Sequence, residues 1–323
     1  MTSLLDGITA IDTMMTGEPE LNAVYFVAAA EPTLLEAGPG ADHDVIVDAL
    51  TRLGIGPSDL AHIVVTHIHV DHAGGAGALT DAFPGATVWA HERGLPHLED
   101  PTRLVASTAR TYGTERMEAF YGRTLPVPSS RLRAVADGDE ISLGDRILRV
   151  IGTPGHASHH VAFHDPGSGA MFTGEAIGSH LPWADAYRPA LPPPEVDVER
   201  ALDSIDRIRA FSPSVLLTSH YGPVQDAVEG CERAAQRLRA WSQTVHDELQ
   251  RDPTIEPTEL AAILTELASA EFLQDSGRPI DLPRYDALGS IAMNGAGLSR
   301  YWRKRWERET TSREGPAEPE PSD

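Results

Sequence analysis

The chain has 323 residues, a formal net charge of −22 and a single cysteine, Cys231. This length allows one large domain, or one domain with an appendage. The acidic excess argues against a nucleic-acid partner, since such proteins normally present a basic face. No apolar run approaches the roughly 18 residues that cross a bilayer, the N-terminus lacks the basic region of a signal peptide, and one cysteine cannot form an internal disulfide. We therefore expect a cytoplasmic protein with no membrane or nucleic-acid partner.

Predicted strands and helices alternate over the first two-thirds of the chain. Short apolar runs predict strands, and apolar residues spaced by three or four positions predict helices. The predicted strands cover residues 22–30, 32–38, 61–65, 86–92, 146–155, 159–165, 169–174 and 214–220. The predicted helices cover residues 44–54, 75–83, 100–122 and 198–211. Prolines exclude regular structure from residues 189–197, which we expect to form a rigid loop or a linker.

The character of the sequence changes after Pro223. Residues 224–305 carry helical patterns and no convincing strand. The last residues are rich in proline, glutamate and serine, a composition that is typical of disorder. We therefore expect a domain over residues 1–223, a helical appendage over 224–307 and a disordered tail over 308–323.

The segment 66–72, with the sequence THIHVDH, places three histidines and one aspartate within six residues. Alternate side chains of a strand share a face, so a strand through His67 and His69 would put both imidazoles on one side and turn Ile68 into the core. The two glycines at positions 74 and 75 would then allow the chain to leave the strand and start a helix. A cluster of this kind behind a buried strand indicates a metal site.

Three further segments repeat the pattern of an apolar strand, a turn residue and a residue able to bind metal. They supply His156 in TPGH, Glu175 in TGE and His220 in TSH. A zinc ion takes about four ligands, so the two first histidines need such partners. A lone histidine or glutamate at a strand end is most often a surface residue, but the repetition after the first motif favours a shared site.

Together these motifs resemble those of the metallo-β-lactamase-fold hydrolases, and within them the glyoxalase II-like branch, over residues 8–223. The resemblance implies an α+β fold, a four-layer αββα sandwich, with two divalent metal ions at one edge. Zinc is the expected metal, with iron and manganese as alternatives. One ion would be held by three histidines, the other by one aspartate and two histidines, and one acid would bridge them. By position, the first set is His67, His69 and His156, the second is Asp71, His72 and His220, and the bridging acid is Glu175.

Glu175 departs from the family pattern, which has aspartate at the bridging position. Glutamate keeps the charge and both oxygens but adds one methylene. It can bridge two ions if its backbone retreats by about one bond length, ~1.5 Å. It can also bind a single ion or change the preferred metal.

Other residues receive supporting roles. The resemblance and the positions of Glu36 and His160 imply that both orient metal ligands without binding metal themselves, whereas His159 is expected to be exposed. The helical appendage resembles the part with which glyoxalase II-type enzymes cover their substrate, so it would cover or flank the active site. Substrate contacts are expected from residues that follow two of the ligands, with Arg188 able to hold a carboxylate. These residues are His180, Tyr187, Arg188 and Tyr221.

The resemblance implies hydrolysis of a thioester, an ester or a lactone by a metal-bound hydroxide. Asp71 would orient this hydroxide and carry a proton to the leaving group. A mononuclear iron-dependent sulfur dioxygenase on the same scaffold is the alternative, and the acidic charge disfavours a nuclease. We expect a small-molecule substrate, and the sequence leaves a homodimer open.

Overall fold

The computed structural model describes residues 1–5, 7–287 and 289–314. The strands are β1 Thr2–Leu5, β2 Ile8–Asp12, β3 Ala23–Val27, β4 Thr33–Leu35, β5 His62–Val64, β6 Thr87–His91, β7 Leu132–Val135, β8 Glu140–Ser142, β9 Ile147–Gly152, β10 Val161–Asp165, β11 Ala170–Gly174, β12 Ser179–Leu181, β13 Ala186–Arg188, β14 Val215–Thr218 and β15 Gly222–Val224. The α-helices are α1 His43–Arg52, α2 Val70–Ala73, α3 Ala76–Ala82, α4 Leu95–Glu99, α5 Thr102–Tyr112, α6 Thr114–Tyr121, α7 Val198–Ala210, α8 Ala227–Arg251, α9 Pro257–Ser276, α10 Leu282–Tyr285 and α11 Ile291–Glu314.

The strands form two large sheets and one hairpin. The first sheet has the order β1-β2-β3-β4-β5-β6-β7 and the second has the order β15-β14-β11-β10-β9-β8, while β12 and β13 pair with each other. Strands β4 to β7 run parallel to one another, and β11 runs parallel to β14. Within each parallel group the carboxyl ends of the strands lie at a common edge, so the residues that follow these strands are brought together.

Apolar cores lie between the four layers. Tyr25 and Leu35 of the first sheet meet Phe172 and Leu217 of the second in the core between the sheets. Because side chains alternate along a strand, the neighbours of Tyr25 face the other way, against α1 and α3. The outer face of the second sheet packs against α7 and the C-terminal helices, with Trp241 fully buried. The predicted αββα sandwich with C-terminal helices is confirmed.

The C-terminal helices pack against the second sheet and against the loop that follows β13. Asn294 of α11 accepts a 2.7 Å hydrogen bond from the backbone of Leu191 and donates a 2.9 Å bond to the carbonyl of Pro189. Helix α11 continues past position 307 to Glu314, so the prediction of disorder is wrong for residues 308–314. The remaining predicted tail, residues 315–323, lies outside the described residues.

Several elements differ from the prediction. The strands that were not predicted include three-residue edge or hairpin strands such as β8 and β12, which are too short to show a period. The predicted helix over 100–122 is divided into α5 and α6 at Gly113, whose φ of 86° no helix accommodates. The loop 189–197 has no regular structure, as its prolines require. Across the described residues, no helix combines the length and apolarity needed to span a membrane.

Candidate metal centre

The THIHVDH segment forms a corner between a strand and a short helix. Strand β5 ends at Val64, and α2 begins at Val70, so His67 and His69 lie in an extended connection and the prediction that they belong to a strand is wrong. Ile68 is nevertheless buried in the core beneath α1 and α3. Gly75 allows α2 to pack closely, since a Cβ atom there would lie 2.3 Å from the carbonyl oxygen of Ala37.

One set of donors gathers around the side chain of His69. Its Nδ1 atom lies 3.0 Å from Nε2 of His67 and 2.9 Å from Nε2 of His156. The carboxylate oxygen Oε2 of Glu175 lies 2.9 Å from Nε2 of His156 and 3.4 Å from Nε2 of His67. The ligand atoms of these four residues all lie within 4.8 Å of one another.

A second set of donors lies beside the first. Oδ2 of Asp71 is 3.3 Å from Nε2 of His220 and 3.5 Å from Nε2 of His72. Glu175 reaches this set as well, with Oε2 3.3 Å from His72 and Oε1 3.7 Å from His220. The structure therefore brings all seven predicted ligands together, with Glu175 between the two sets. We call these residues the donor cluster: His67, His69, Asp71, His72, His156, Glu175 and His220.

Backbone carbonyls and Glu36 orient the imidazoles of the donor cluster. Nδ1 of His156 lies 2.9 Å from the carbonyl of Ala190, and Nδ1 of His220 lies 2.9 Å from the carbonyl of Leu21. Each contact places a proton on Nδ1 and leaves the lone pair of Nε2 directed into the cluster. Nδ1 of His72 faces Oε1 of Glu36 at 3.3 Å in the same way.

His160 supports the bridging acid through its backbone. Nε2 of His160 accepts a 3.1 Å hydrogen bond from the backbone N–H of Glu175, and Nδ1 lies 2.8 Å from the hydroxyl of Thr153. The ring is buried and touches the donor cluster from behind. This placement agrees with a role in holding Glu175 rather than in binding metal.

Burial favours the neutral form of three imidazoles at the site, those of His67, His69 and His160. Burial, with the neighbouring ring of His156, lowers the pKa of His69 to about 3. Burial also lowers the pKa of His67 and of His160 well below the usual range. A neutral imidazole has the free lone pair that a metal ion requires.

The two carboxylates of the donor cluster attract positive charge. Burial opposes the ionisation of Glu175 and Asp71, yet His156 lowers the pKa of Glu175 and His72 lowers the pKa of Asp71. The reciprocal effect raises the pKa of His72 and of His156 against the influence of burial. The site therefore stabilises a cation between its carboxylates.

The residues present are suited to divalent metal ions. The Nε2 atoms of His72 and His220 are buried and have no hydrogen-bond partner among the described residues. Around His69, ring nitrogens face each other at contact distance, which a shared cation explains better than a proton in each gap. Histidine nitrogens with carboxylate oxygens form a donor set that zinc, iron and manganese all accept.

A cavity of about 110 Å³ borders the donor cluster. His69, Asp71, His156 and Glu175 form part of its surface. The walls come from α5, from the proline-rich loop after β13 and from the start of α11. The wall residues are Leu104, Ser107, Thr108, Thr111, Tyr112, Arg188, Pro189, Ala190, Pro192, Pro193, Pro194, Gly289, Met293 and Asn294.

Of the four predicted substrate contacts, Arg188 borders this cavity. His180 instead lies 3.1 Å from Asp185 and packs on the ring of Tyr187, which also stacks on Arg233 of α8. Tyr221 packs against the core between the sheets. None of these three is among the described residues that line the cavity. The expectation for His180, Tyr187 and Tyr221 is corrected, because the β12–β13 hairpin and its neighbours turn them toward the protein interior.

His159 is not exposed, contrary to the prediction. Only 9% of its surface is accessible, and its Nε2 accepts a 3.2 Å hydrogen bond from the backbone of Ile68. The other ring nitrogen faces Glu195 at 3.8 Å. His159 thus fixes the extended connection between His67 and His69, a role that no local pattern indicates.

Two hydroxyl residues that the sequence did not single out also support the site. Thr66 and Ser219 each precede a histidine of the donor cluster and each bind the carboxylate of Glu36, at 2.5 Å and 2.8 Å. The shared pattern of a hydroxyl residue directly before a ligand, in TH and SH, was the available signal.

Comparison with known proteins agrees with this geometry. Residues 18–220 match the model of the metallo-beta-lactamase superfamily. The chain belongs to this superfamily, whose members typically bind divalent metal ions.

Hydrolases are among its relatives. A hydroxyacylglutathione hydrolase from Gloeobacter violaceus is 31% identical over 132 residues, which cover 41% of this chain and 39% of that protein. The acyl-coenzyme A thioesterase MBLAC2 of Gallus gallus is 35% identical over 133 residues, 40% of this chain and 47% of the relative. The chain thus matches less than half the length of these two enzymes. A metallo-beta-lactamase family protein from Thermus thermophilus shares the fold, with a TM-score of 0.64, 22% identity and coverage of 94% and 95% of the two chains.

Proposed function

We propose that this protein is a metal-dependent hydrolase that cleaves a thioester, an ester or a lactone in a small molecule. The observation that carries this proposal is the donor cluster itself. Seven nitrogen and oxygen ligands form two sets with Glu175 between them, and the cluster opens into a cavity.

Divalent ions held by the donor cluster would supply an activated water and would polarise the carbonyl oxygen of the substrate. Asp71 is placed to orient that water, because its side chain is 16% exposed and borders the cavity. The same carboxylate can pass a proton to the leaving group. His69 and His156 also border the cavity, and Leu104 and Met293 add apolar side chains to its wall.

The named relatives favour thioesters within this class. Hydroxyacylglutathione and acyl-coenzyme A are both thioesters, and the proteins named for them match 132 and 133 residues of this chain. The assembly of the second donor set, Asp71 with His72 and His220, favours two ions over the single iron of a sulfur dioxygenase.

The test compares the purified protein with the His69→Ala variant. We expect the wild-type protein to hydrolyse members of a panel of thioesters, esters and lactones, to lose activity with a chelator and to regain it with zinc or manganese. His69→Ala should lose at least a hundredfold in kcat/KM and should lose bound metal. His97→Ala, which removes a histidine of α4 outside the donor cluster, is the matched control and should retain both.

Metal analysis separates hydrolysis from the iron alternative. Two zinc or manganese ions per chain with hydrolysis support the proposal. One iron per chain with thiol-dependent oxygen uptake, and no hydrolysis, would overturn it. Full activity of His69→Ala with unchanged metal content would contradict the assignment of the site.

A further inference from the structure

Arg188 is a buried cation whose charge no acidic residue balances in the described part of the chain. Its exposed fraction is 3%. One nitrogen, Nη1, donates to the backbone carbonyls of Tyr285 at 2.6 Å and Gly289 at 2.7 Å. Buried charged groups are normally paired with an opposite charge, because the loss of hydration is otherwise not compensated. The two neutral carbonyls satisfy part of the hydrogen-bonding capacity of the guanidinium, but they do not compensate its net positive charge.

The opposite edge of the guanidinium lacks partners. Nε of Arg188 is buried and has no hydrogen-bond acceptor, and none of the described residues accepts from Nη2. The N–H groups on Nε and Nη2 are parallel and match the two oxygens of a carboxylate. The ring of Tyr285 lies against the guanidinium, with Cζ of Arg188 5.4 Å from the ring centroid. This contact restricts the plane of the guanidinium.

A short, restrained segment connects Arg188 to the donor cluster. Two residues after Arg188, the carbonyl of Ala190 binds Nδ1 of His156. Between them, the carbonyl of Pro189 binds Asn294 of α11. Arg188 and the donor cluster therefore border one cavity in a fixed relationship.

We propose that the substrate carries a carboxylate that Arg188 binds, while its scissile carbonyl lies at the donor cluster. The proposal rests on the hydrolase function proposed above and narrows its substrate class to anionic thioesters or esters. A carboxylate would occupy the unpaired edge of the guanidinium, whereas a neutral substrate leaves it unsatisfied. The chain has a net charge of −22, which disfavours the approach of an anion. The positive charge of Arg188 gives the cavity a local preference for an anionic substrate in spite of it.

The test uses two pairs of thioesters that differ only in a carboxylate. In the acyl pair, glutaryl and pentanoyl groups are attached to N-acetylcysteamine. In the leaving-group pair, an acetyl group is attached to 3-mercaptopropionate or to propanethiol. We expect the wild-type protein to prefer the carboxylate in one pair by 10- to 100-fold in kcat/KM, the range that a charge-assisted hydrogen bond provides. The pair that shows the preference identifies the part of the substrate that carries the charge.

Variants separate the charge from the shape of the wall. Arg188→Met should remove the preference, so that its kcat/KM values become equal within each pair, while Arg188→Lys should retain part of it. Asn294→Ala is the matched control, because it loosens the same wall but keeps the guanidinium. This variant should reduce kcat/KM for both members of a pair by the same factor. Wild-type kcat/KM values that are equal within both pairs would overturn the proposal, as would a selective loss in Asn294→Ala equal to that in Arg188→Met.

A binding measurement distinguishes this proposal from the proposed function. In calorimetric titrations, the wild-type protein should bind glutarate at least fivefold more tightly than the neutral diamide glutaramide, and Arg188→Lys should weaken this difference. A glutarate preference without hydrolysis of any thioester would refute the hydrolase and retain the anion site. Metal-dependent hydrolysis without either preference would refute the anion site and retain the hydrolase. The wild-type measurements stand if Arg188→Met does not fold.

Discussion

The carboxylate of Glu36 accepts a 2.8 Å hydrogen bond from the hydroxyl of Ser219, and this contact joins the two sheets at the edge where the donor cluster lies. Glu36 follows β4 in the first sheet, and Ser219 follows β14 in the second. Glu36 also accepts from the backbone and the hydroxyl of Thr66, and its other neighbour is His72. Its backbone has a φ of 66°, the left-handed region that side chains other than glycine rarely adopt. A single buried carboxylate thus organises two of the segments that carry ligands, residues 66–72 and the segment with His220 at the end of β14.

Replacement of Glu36 by glutamine should destabilise the protein and weaken metal binding. The amide turns one acceptor oxygen into a donor that faces the existing donors of Thr66 and Ser219. We expect a loss of about 1–3 kcal/mol in the free energy of unfolding and a loss of about 10- to 100-fold in metal affinity through His72. Urea denaturation and competition with a chelator measure the two effects. Glu140→Gln, at an exposed ion pair with Arg149, should change neither by more than about 0.5 kcal/mol.

Replacement of Glu175 by aspartate should reduce metal occupancy, although the motifs resemble those of enzymes with aspartate at this position. The present backbone places glutamate oxygens between the two donor sets, 2.9 Å from His156 and 3.7 Å from His220. Aspartate would withdraw these oxygens by about 1.5 Å and could serve only one set. We expect metal content to fall toward one ion per chain and kcat/KM to fall at least tenfold. Unchanged metal content in Glu175→Asp would show that the backbone adapts. Glu140→Asp, which shortens an exposed acid, should have no effect.

Replacement of Gly75 by alanine should destabilise the corner that carries Asp71 and His72. The added Cβ would lie 2.3 Å from the carbonyl oxygen of Ala37, and this backbone atom cannot move without shifting β4. Overpacking of this kind costs about 1–3 kcal/mol. Gly85→Ala is the matched control, because the nearest atom to its new Cβ is 3.9 Å away and its φ is not left-handed. A comparison of urea midpoints tests the difference, and equal midpoints for the two variants would contradict the packing argument.

Asp42 should make the protein less stable as the pH rises through 4 to 6. Burial, opposed by the hydroxyl of Thr13 and assisted by the charge of Asp12, raises the pKa of Asp42 to about 6. Its folded-state pKa therefore exceeds the unfolded value of about 3.9. Below about pH 3.9 both states are protonated, and the folded state bears no penalty. Above that value the unfolded chain loses its proton first, so stability falls until Asp42 ionises in the folded protein near pH 6.

Asp42→Asn should remove this dependence. The variant is neutral at all pH values, so its advantage over the wild-type protein should grow between about pH 4 and 6 and then stay constant. We expect a plateau of about 1–2 kcal/mol after allowance for solvent screening. Thermal denaturation at a series of pH values measures the difference. Asp81→Asn, at an exposed position, should run parallel to the wild-type curve, and a parallel curve for Asp42→Asn would refute the prediction.

The sequence predicted the ligands because each of them follows an apolar strand, and strand ends at a common edge converge. His156, Glu175 and His220 could be placed by this rule without knowledge of the distances. The path of the chain at His67 and His69 could not be predicted by this rule, since an extended loop and a strand give the same alternation of side chains. The layered sandwich was expected from the resemblance of these motifs to those of the metallo-β-lactamase-fold hydrolases, and not from the pattern of strands and helices.

The surroundings of the cluster depend on contacts between distant segments, which a local pattern does not contain. Arg188 borders the cavity, while its neighbour Tyr187 does not, because carbonyls about a hundred residues later fix the guanidinium. His159 is buried because it meets Ile68, 91 residues earlier. Such contacts follow from tertiary packing, and the short-range periodicity of the sequence does not predict them.

The metal site also has a consequence for how the protein matures. Its ligands begin at His67 and end at His220, and the last of them is held by the carbonyl of Leu21 near the start of the chain. A growing polypeptide on the ribosome therefore cannot complete the site until residue 220 has emerged and both sheets have closed. Metal uptake would then stabilise only chains in which the segments from Leu21 to His220 have already folded together.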